Sequence, residues 1–296
     1  MRLGTLSTPD GPRAVVLDDH GFVEVAAADP ALPDSVRLLL RLGPGALDRA
    51  REASRSASAP RHPYQPERLL PAIPDPGKLL CIGRNYAEHV QELGNLPAER
   101  PEVFVRVSTS LTGPHAPVVR PQASQQMDYE VELAVVIGVQ GRHIPSHRAL
   151  EHVAGYCVLN DVSIRDYQMA GQQWTPGKNF DSTGPLGPFV VTADEVPDPQ
   201  QLRISAAVVR RDGKEEVLQD SNTGLMMRPV APLIAFLSSF ATLEPGDVIV
   251  TGTPGGVGLG RRPPRWLVPG EVLVSRVQGL GELRNPVIDE ADQPGG

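Results

Sequence analysis

Cysteine is nearly absent: Cys81 and Cys157 are the two in 296 residues, too few and too far apart for a disulfide framework or a zinc knuckle. Each lies inside an apolar run, where a buried thiol belongs, and a reducing, cytoplasmic compartment is expected. Basic charge is scarce as well. The 28 lysines and arginines against 35 acids leave a net charge of -7, so no basic field is there to neutralise phosphates and no nucleic-acid surface is expected. No apolar run approaches the ~20 residues that span a bilayer, and no charged start leads into an apolar signal segment. Neither membrane insertion nor secretion is therefore expected. What is left is a globular chain of ordinary apolar content, with room for one large domain or two modest ones.

The stretch that organises this chain runs from Met127 to Gly138. Its β-branched and aromatic residues predict a strand, closed by Gly138. Side chains on a strand repeat every second residue, so Glu130 and Glu132 share one face while Tyr129, Val131 and Leu133 share the other. A wet acidic face would be the bland explanation. Against it, Ala134-Val135-Val136-Ile137 is apolar on both faces and reads as buried on both. Two like charges at the mouth of a buried strand repel and lose solvation unless a cation or a donor sits between them. A third acid, Asp161, closes another short apolar run, Gly155 to Asn160.

Upstream, Met1 to Val25 alternates apolar runs with turns and predicts a small antiparallel meander. Residues Asp34 to Glu52 predict two short helices, started by Asp34/Ser35 and split at Gly43-Pro44-Gly45. A small, polar, proline-containing run from Ser54 to Pro63 then reads as a linker. Beyond Leu79-Leu80-Cys81-Ile82-Gly83, a short helix ended by Gly94 places His89 and Glu92 three residues apart on one face. A carboxylate beside an imidazole orients it as a general base. Lys178, just after Pro176-Gly177, is a candidate fixed cation for a substrate oxyanion. The segments Leu243 to Val250 and Leu267 to Val274 echo one another as Pro-Gly turns feeding strands, and read as similar hairpins. Between them, Thr251 to Gly260 is rich in glycine. It lacks the Gly-Lys-Ser/Thr ending of a phosphate loop, and Arg261-Arg262-Pro263-Pro264 stands where a helix would have to begin. Such a turn can still offer backbone N–H groups to a carboxylate, with Thr253 placed to join them.

Together these pieces resemble the fumarylacetoacetate hydrolase family, from about Lys78 to Val287. The likeness rests on Gly83-Arg84-Asn85-Tyr86 with His89 and Glu92, Asp128 to Leu133, Gly155-Tyr156 through Asn160-Asp161 to Arg165 and Gln168, Lys178 with Phe180-Asp181, Pro185 to Pro188, and Pro245-Gly246-Asp247 with Thr251 to Pro254. Each motif is weak alone, and their order and spacing are specific. The resemblance implies an α+β, predominantly β fold: a mixed β-roll or sandwich catalytic domain over 78–296, a small N-terminal α+β domain over 1–58 and a linker over 59–77, usually paired into a homodimer. It implies a divalent cation held by Glu130, Glu132 and Asp161, and hard oxygen donors favour Mg²⁺ or Mn²⁺, with Ca²⁺ also suitable. His89 with Glu92 would be the catalytic pair on a closing lid, with Lys178 beside them. Arg84, Arg165, Gln168, Asp181, Gly252 and Thr253 would bind a small 2-oxo acid. Arg106 stands where relatives commonly carry lysine.

The expected activity is hydrolytic C–C cleavage of an acylpyruvate-like substrate, in the manner of the shorter, prokaryote-type members. Decarboxylation of an oxaloacetate-like acid, or movement of a double bond in an unsaturated 2-oxo dicarboxylate, would use the same site, because all three pass through an enolate. A reading of another class is a non-catalytic metal- and ligand-binding relative. Loss of His89, Glu92 or a metal acid would mark it, and all are present.

Overall fold

A computed structural model describes residues 1–56 and 59–293. At its centre is the strand Val131–Ile137, every residue of which is buried. A strand that is apolar on both faces needs a neighbour along each edge and a cover over each face. Val153–Asn160 and Val248–Val250 flank it, both antiparallel. The 11-stranded sheet continues through Gly184–Thr192 to Arg2–Thr8, Gly11–Asp18, Gly21–Glu24 and Arg61–His62 on one side. On the other it passes through Leu79–Gly83 to end at Glu102–Val105, and the eleventh strand, Leu111–Thr112, pairs in parallel with Gly184–Thr192.

The covers follow the alternation of the central strand. Tyr129, Val131, Leu133, Val135 and Ile137 enter one core with Leu233 and Leu237 of the helix Val230–Phe240, and with Ile204, Val208, Leu273 and Leu283 of a second, 5-stranded sheet. Ala134 and Val136 enter another core, with Leu39 and Leu40 of the helix Val36–Arg41 and Ala46 and Ala50 of the helix Pro44–Ser54. The result is the predominantly β, mixed sandwich expected. No helix among the described residues is long and apolar enough to cross a membrane.

The N-terminal meander and its two helices are present. Ser35 caps the first helix by accepting from the Leu38 N–H at 3.3 Å, and Gly43, at φ 86°, breaks the chain before the second. The meander extends the 11-stranded sheet rather than standing beside it, because Leu3 pairs with Val190. Arg61–His62, inside the stretch read as a linker, pairs with Phe22 and Val23. The division into 1–58, 59–77 and 78–296 remains a proposal, and its boundary at 58 lies outside the described residues, as do 294–296.

Two local expectations are corrected. The strand read from Met127 is broken: Met127–Asp128 pairs with Ser163–Ile164, and the large sheet takes over only at Val131. Side chains cause the break, since Asp128 accepts the Tyr129 N–H at 2.8 Å and Asn160 accepts the Glu130 N–H at 2.9 Å. The two Pro-Gly echoes both turn through glycine, at φ 87° for Gly246 and 89° for Gly270. Only the second feeds a hairpin, Val272–Val277 with Gly281–Asp289. Val248–Val250 instead lies between Val131–Ile137 and the parallel Leu79–Gly83, because the chain after it leaves the sheet in the glycine-rich loop.

Candidate active site

Register brings the three acids together. Val131 pairs with Asn160 and Glu132 with Leu159, and one step further the Asp161 N–H donates to the Glu130 carbonyl at 2.7 Å. Residues directly opposite on paired strands point the same way, so Asp161 joins Glu130 and Glu132 on one face. All three are buried, with ligand oxygens within 4.8 Å of one another.

Buried like charges at this spacing demand compensation. Lys178 Nζ lies 2.5 Å from a carboxylate oxygen of both Glu130 and Asp161. Arg165 donates from Nη2 to Glu130 at 2.6 Å, from Nε to Asp128 at 2.8 Å and from Nη1 to Gln168 Oε1 at 2.7 Å. Arg106, also buried, donates to Asp161 at 2.5 Å, and its other nitrogens reach Thr183 and Ser110. Burial alone would raise the Glu130 pKa, yet the Arg165 and Lys178 charges outweigh it and hold that carboxyl well below the usual range. Lys178 stays charged: burial opposes its proton, and Asp161 and Glu130 more than restore it.

Glu132 is different. Its carboxylate accepts the Gly252 N–H, but no lysine or arginine pairs with it among the described residues. Burial, then the neighbouring Asp161 and Glu130, push its pKa well up. A divalent cation among the three acids would relieve that cost. Three hard oxygen donors without His or Cys suit Mg²⁺, Mn²⁺ or Ca²⁺ better than zinc, so the residues present fit the expected metal.

The imidazole and its acid lie on the short helix Ala87–Glu92, with His89 Nδ1 at 2.9 Å from Glu92 Oε1. The other oxygen of Glu92 accepts the Gly256 N–H at 2.8 Å. The glycine-rich loop thus does offer N–H groups to carboxylates, and they are the chain's own: Gly252 to Glu132, Gly256 to Glu92, Gly258 and Leu259 to Asp128. Gly252 has φ 98°, which side chains rarely adopt. A Cβ at Gly260 would press on Glu92 Oε2 at 3.0 Å.

Arg84, His89, Glu92, Glu130, Glu132, Asp161, Arg165, Gln168, Lys178 and Thr253 border one cavity of about 360 Å³. Gly252 stands behind it through its bond to Glu132. Asp181 does not join them: it is exposed, in the turn before Gly184–Thr192. Thr253 is held by donating to the Val131 carbonyl at 3.0 Å and accepting from Gln219 at 2.9 Å. Arg84, at φ 51°, lies over the Trp174 ring at 5.2 Å and pairs with Glu102 at 2.8 Å. Sequence reasoning missed Trp174 and Arg262 as wall residues and Asp128 as the acid shared by Arg165 and the glycine loop. For Arg262 the signal was present, two arginines directly after the glycine run.

A family model for the fumarylacetoacetate (FAA) hydrolase C-terminal region matches residues 78–288, which contain every residue of this cavity. The chain belongs to the fumarylacetoacetate hydrolase family. It is 42% identical over 270 residues to the mitochondrial oxaloacetate tautomerase FAHD2A of Homo sapiens, covering 90% of this chain and 84% of the relative. Among solved structures, the fumarylacetoacetate hydrolase of the psychrophile Exiguobacterium antarcticum superposes with a TM-score of 0.82 at 34% identity, over 98% of this chain and 100% of that one. The 5-carboxymethyl-2-hydroxymuconate delta-isomerase of Mycobacterium smegmatis does so with a TM-score of 0.73 at 31% identity, over 98% and 99%. Members of the fumarylacetoacetate hydrolase family are enzymes, and this chain is one of them.

Proposed function

We propose that the enzyme moves a proton on a small 2-oxo dicarboxylic acid of the oxaloacetate kind, interconverting its keto and enol forms. The observation that carries this reading is the His89–Glu92 pair, joined at 2.9 Å and bordering the same cavity as the acids and Lys178. Proton transfer next to a carbonyl needs one well-oriented base and a place for enolate charge. Glu92 engages Nδ1 of His89, which leaves Nε2 to take the proton from the carbon and return it to the enol oxygen. Glu92, held by the Gly256 N–H, stabilises the imidazolium in between. Lys178, kept charged by Glu130 and Asp161, adds a fixed positive charge beside the developing oxyanion. A divalent cation bound by Glu130, Glu132 and Asp161 would polarise the 2-oxo group as a Lewis acid. The tautomerase and isomerase among the relatives support the same choice.

Hydrolytic cleavage of an acylpyruvate is the second reading, favoured by the likeness to the Exiguobacterium hydrolase. It asks the same pair to activate a water instead. An ultraviolet assay separates the two: with Mg²⁺ present, the enzyme should accelerate the enol–keto relaxation of oxaloacetate without consuming it. Oxaloacetate relaxing at the uncatalysed rate while an acylpyruvate is cleaved would replace the proposal with the hydrolytic one, and release of CO₂ would replace it with decarboxylation.

The proposal extends to a cytoplasmic homodimer. Cys81 and Cys157 are free and buried, as a reducing compartment allows. The edge strand Glu102–Val105 leaves Val103, Val105 and the following Val107 36%, 45% and 47% exposed, an apolar strip that a second copy would cover. Light scattering should give twice the monomer mass, and a monomeric mass at micromolar concentration would end this part of the proposal.

A further inference from the structure

Three arginines border the cavity, and two of them are neutralised by acids. Arg84 pairs with Glu102 at 2.8 Å, and Arg165 with Asp128 at 2.8 Å and Glu130 at 2.6 Å. Arg262 has no acid partner among the described residues. Its Nη1 reaches only backbone carbonyls, those of Arg261 at 3.0 Å and Leu259 at 3.4 Å. It is exposed, whereas Glu130, Glu132 and Asp161 in the same wall are buried, so it marks the mouth of the cavity.

The backbone that carries Arg262 is anchored on both sides. Arg261 donates to the Leu218 carbonyl at 2.9 Å, the Arg265 N–H returns to the Gly258 carbonyl at 3.0 Å, and Arg265 pairs with Glu271 at 2.5 Å. Pro263 and Pro264 restrict the intervening φ angles. A loop ordered in advance loses little entropy when a ligand docks on its side chain. The planar guanidinium matches a carboxylate with two parallel N–H donors.

We propose that Arg262 binds the distal carboxylate of a 2-oxo dicarboxylate and thereby sets a preference for dicarboxylic over monocarboxylic 2-oxo acids. This rests on the 2-oxo acid reading given above. A substrate whose 2-oxo end lies at the acid cluster presents its other end toward the mouth. A second carboxylate there would be costly to enclose without a partner, and the remaining cavity arginines are already paired.

The test uses the full chain loaded with Mg²⁺ and two matched four-carbon ligands, oxaloacetate and 2-oxobutanoate, which differ by a terminal carboxylate in place of a methyl group. Trp174 in the cavity wall provides the fluorescence readout for both Kd values. Wild type should prefer oxaloacetate, and Arg262→Ala should shrink the ratio of the two affinities by about 10-fold, the low end for a hydrogen bond to a charged group because the site is open to water. Arg262→Lys, which keeps the charge and loses the fork, should hold an intermediate ratio. An unchanged ratio in Arg262→Ala, whatever happens to the individual affinities, overturns the inference and leaves the proton-transfer reading standing. Failure of wild type to bind either ligand overturns that reading, and this inference with it.

Discussion

His89→Ala lowers kcat on the substrate that wild type converts by about 10²–10⁴-fold, the range for loss of a general base, while substrate affinity changes little. The expectation follows from the pair geometry. One carboxylate oxygen of Glu92 meets His89 at 2.9 Å and the other meets the Gly256 N–H at 2.8 Å, so the imidazole is held in one orientation toward the cavity. Glu92→Gln should therefore do much of the same damage, since the amide neither orients the ring in the same way nor balances the imidazolium charge. Decarboxylation makes a weaker demand on a base, and any such side activity should survive His89→Ala far better. Steady-state kinetics with kcat and KM resolved separately provide the check. If both variants keep wild-type kcat on every substrate that wild type turns over, the helix Ala87–Glu92 is an ordinary surface element and the mechanism is wrong.

Stripping divalent cations should bring turnover to the uncatalysed background, a loss of at least about 10³-fold, with Mg²⁺ or Mn²⁺ restoring it. Full activity in metal-free protein would refute the assignment of Glu130, Glu132 and Asp161. The electrostatics add a second readout. Without a cation Glu132 is raised well above a normal carboxyl pKa by burial and by Asp161 and Glu130. Cation uptake should then release protons and weaken as the pH falls, which calorimetry in buffers of different ionisation enthalpy measures. The sign for the fold is the reverse. A carboxyl whose folded pKa is raised contributes stability that is fully present below its unfolded pKa and lost as the pH rises through the folded one. Glu132→Gln removes that loss, so the metal-free variant should melt on the order of 2–4 °C higher at neutral pH while binding the cation at least about 100-fold more weakly. A lower melting temperature would show that Glu132 is a structural acid.

Much of the site is legible one residue at a time. The alternation from Tyr129 to Ile137 assigns each side chain to a face, and the faces are those found. The three-residue spacing of His89 and Glu92 predicts a shared helix face, and their contact follows. Asp181 was carried by its place in a motif alone, with no periodicity behind it, and the structure leaves it in solvent. The strand read through Asp128 and Tyr129 was broken by side chains of Asp128 and Asn160 competing for backbone N–H groups, a competition that no local pattern encodes.

What the sequence by itself determined about this protein are the short-range facts: a central strand buried on both faces, two acids on one side of it, an imidazole beside a carboxylate and a glycine loop unfit for phosphate. These follow from the fixed repeats of strand and helix, which act over a few bonds. Tertiary structure decided the rest. Register alone set Asp161 across from Glu130, and folding of distant segments put Lys178 between them, shared Arg165 between Asp128 and Glu130, and turned the loop's N–H groups onto the chain's own acids. It also left Glu132 without an ion pair and Arg262 without an acid among the described residues, which only a count over all neighbours in space reveals. The reason is physical: a buried charge is stabilised by what lies within a few ångströms of it, and here those groups come from segments as far apart in the chain as Asp128 and Leu259, 131 residues, or Glu92 and Gly256, 164 residues.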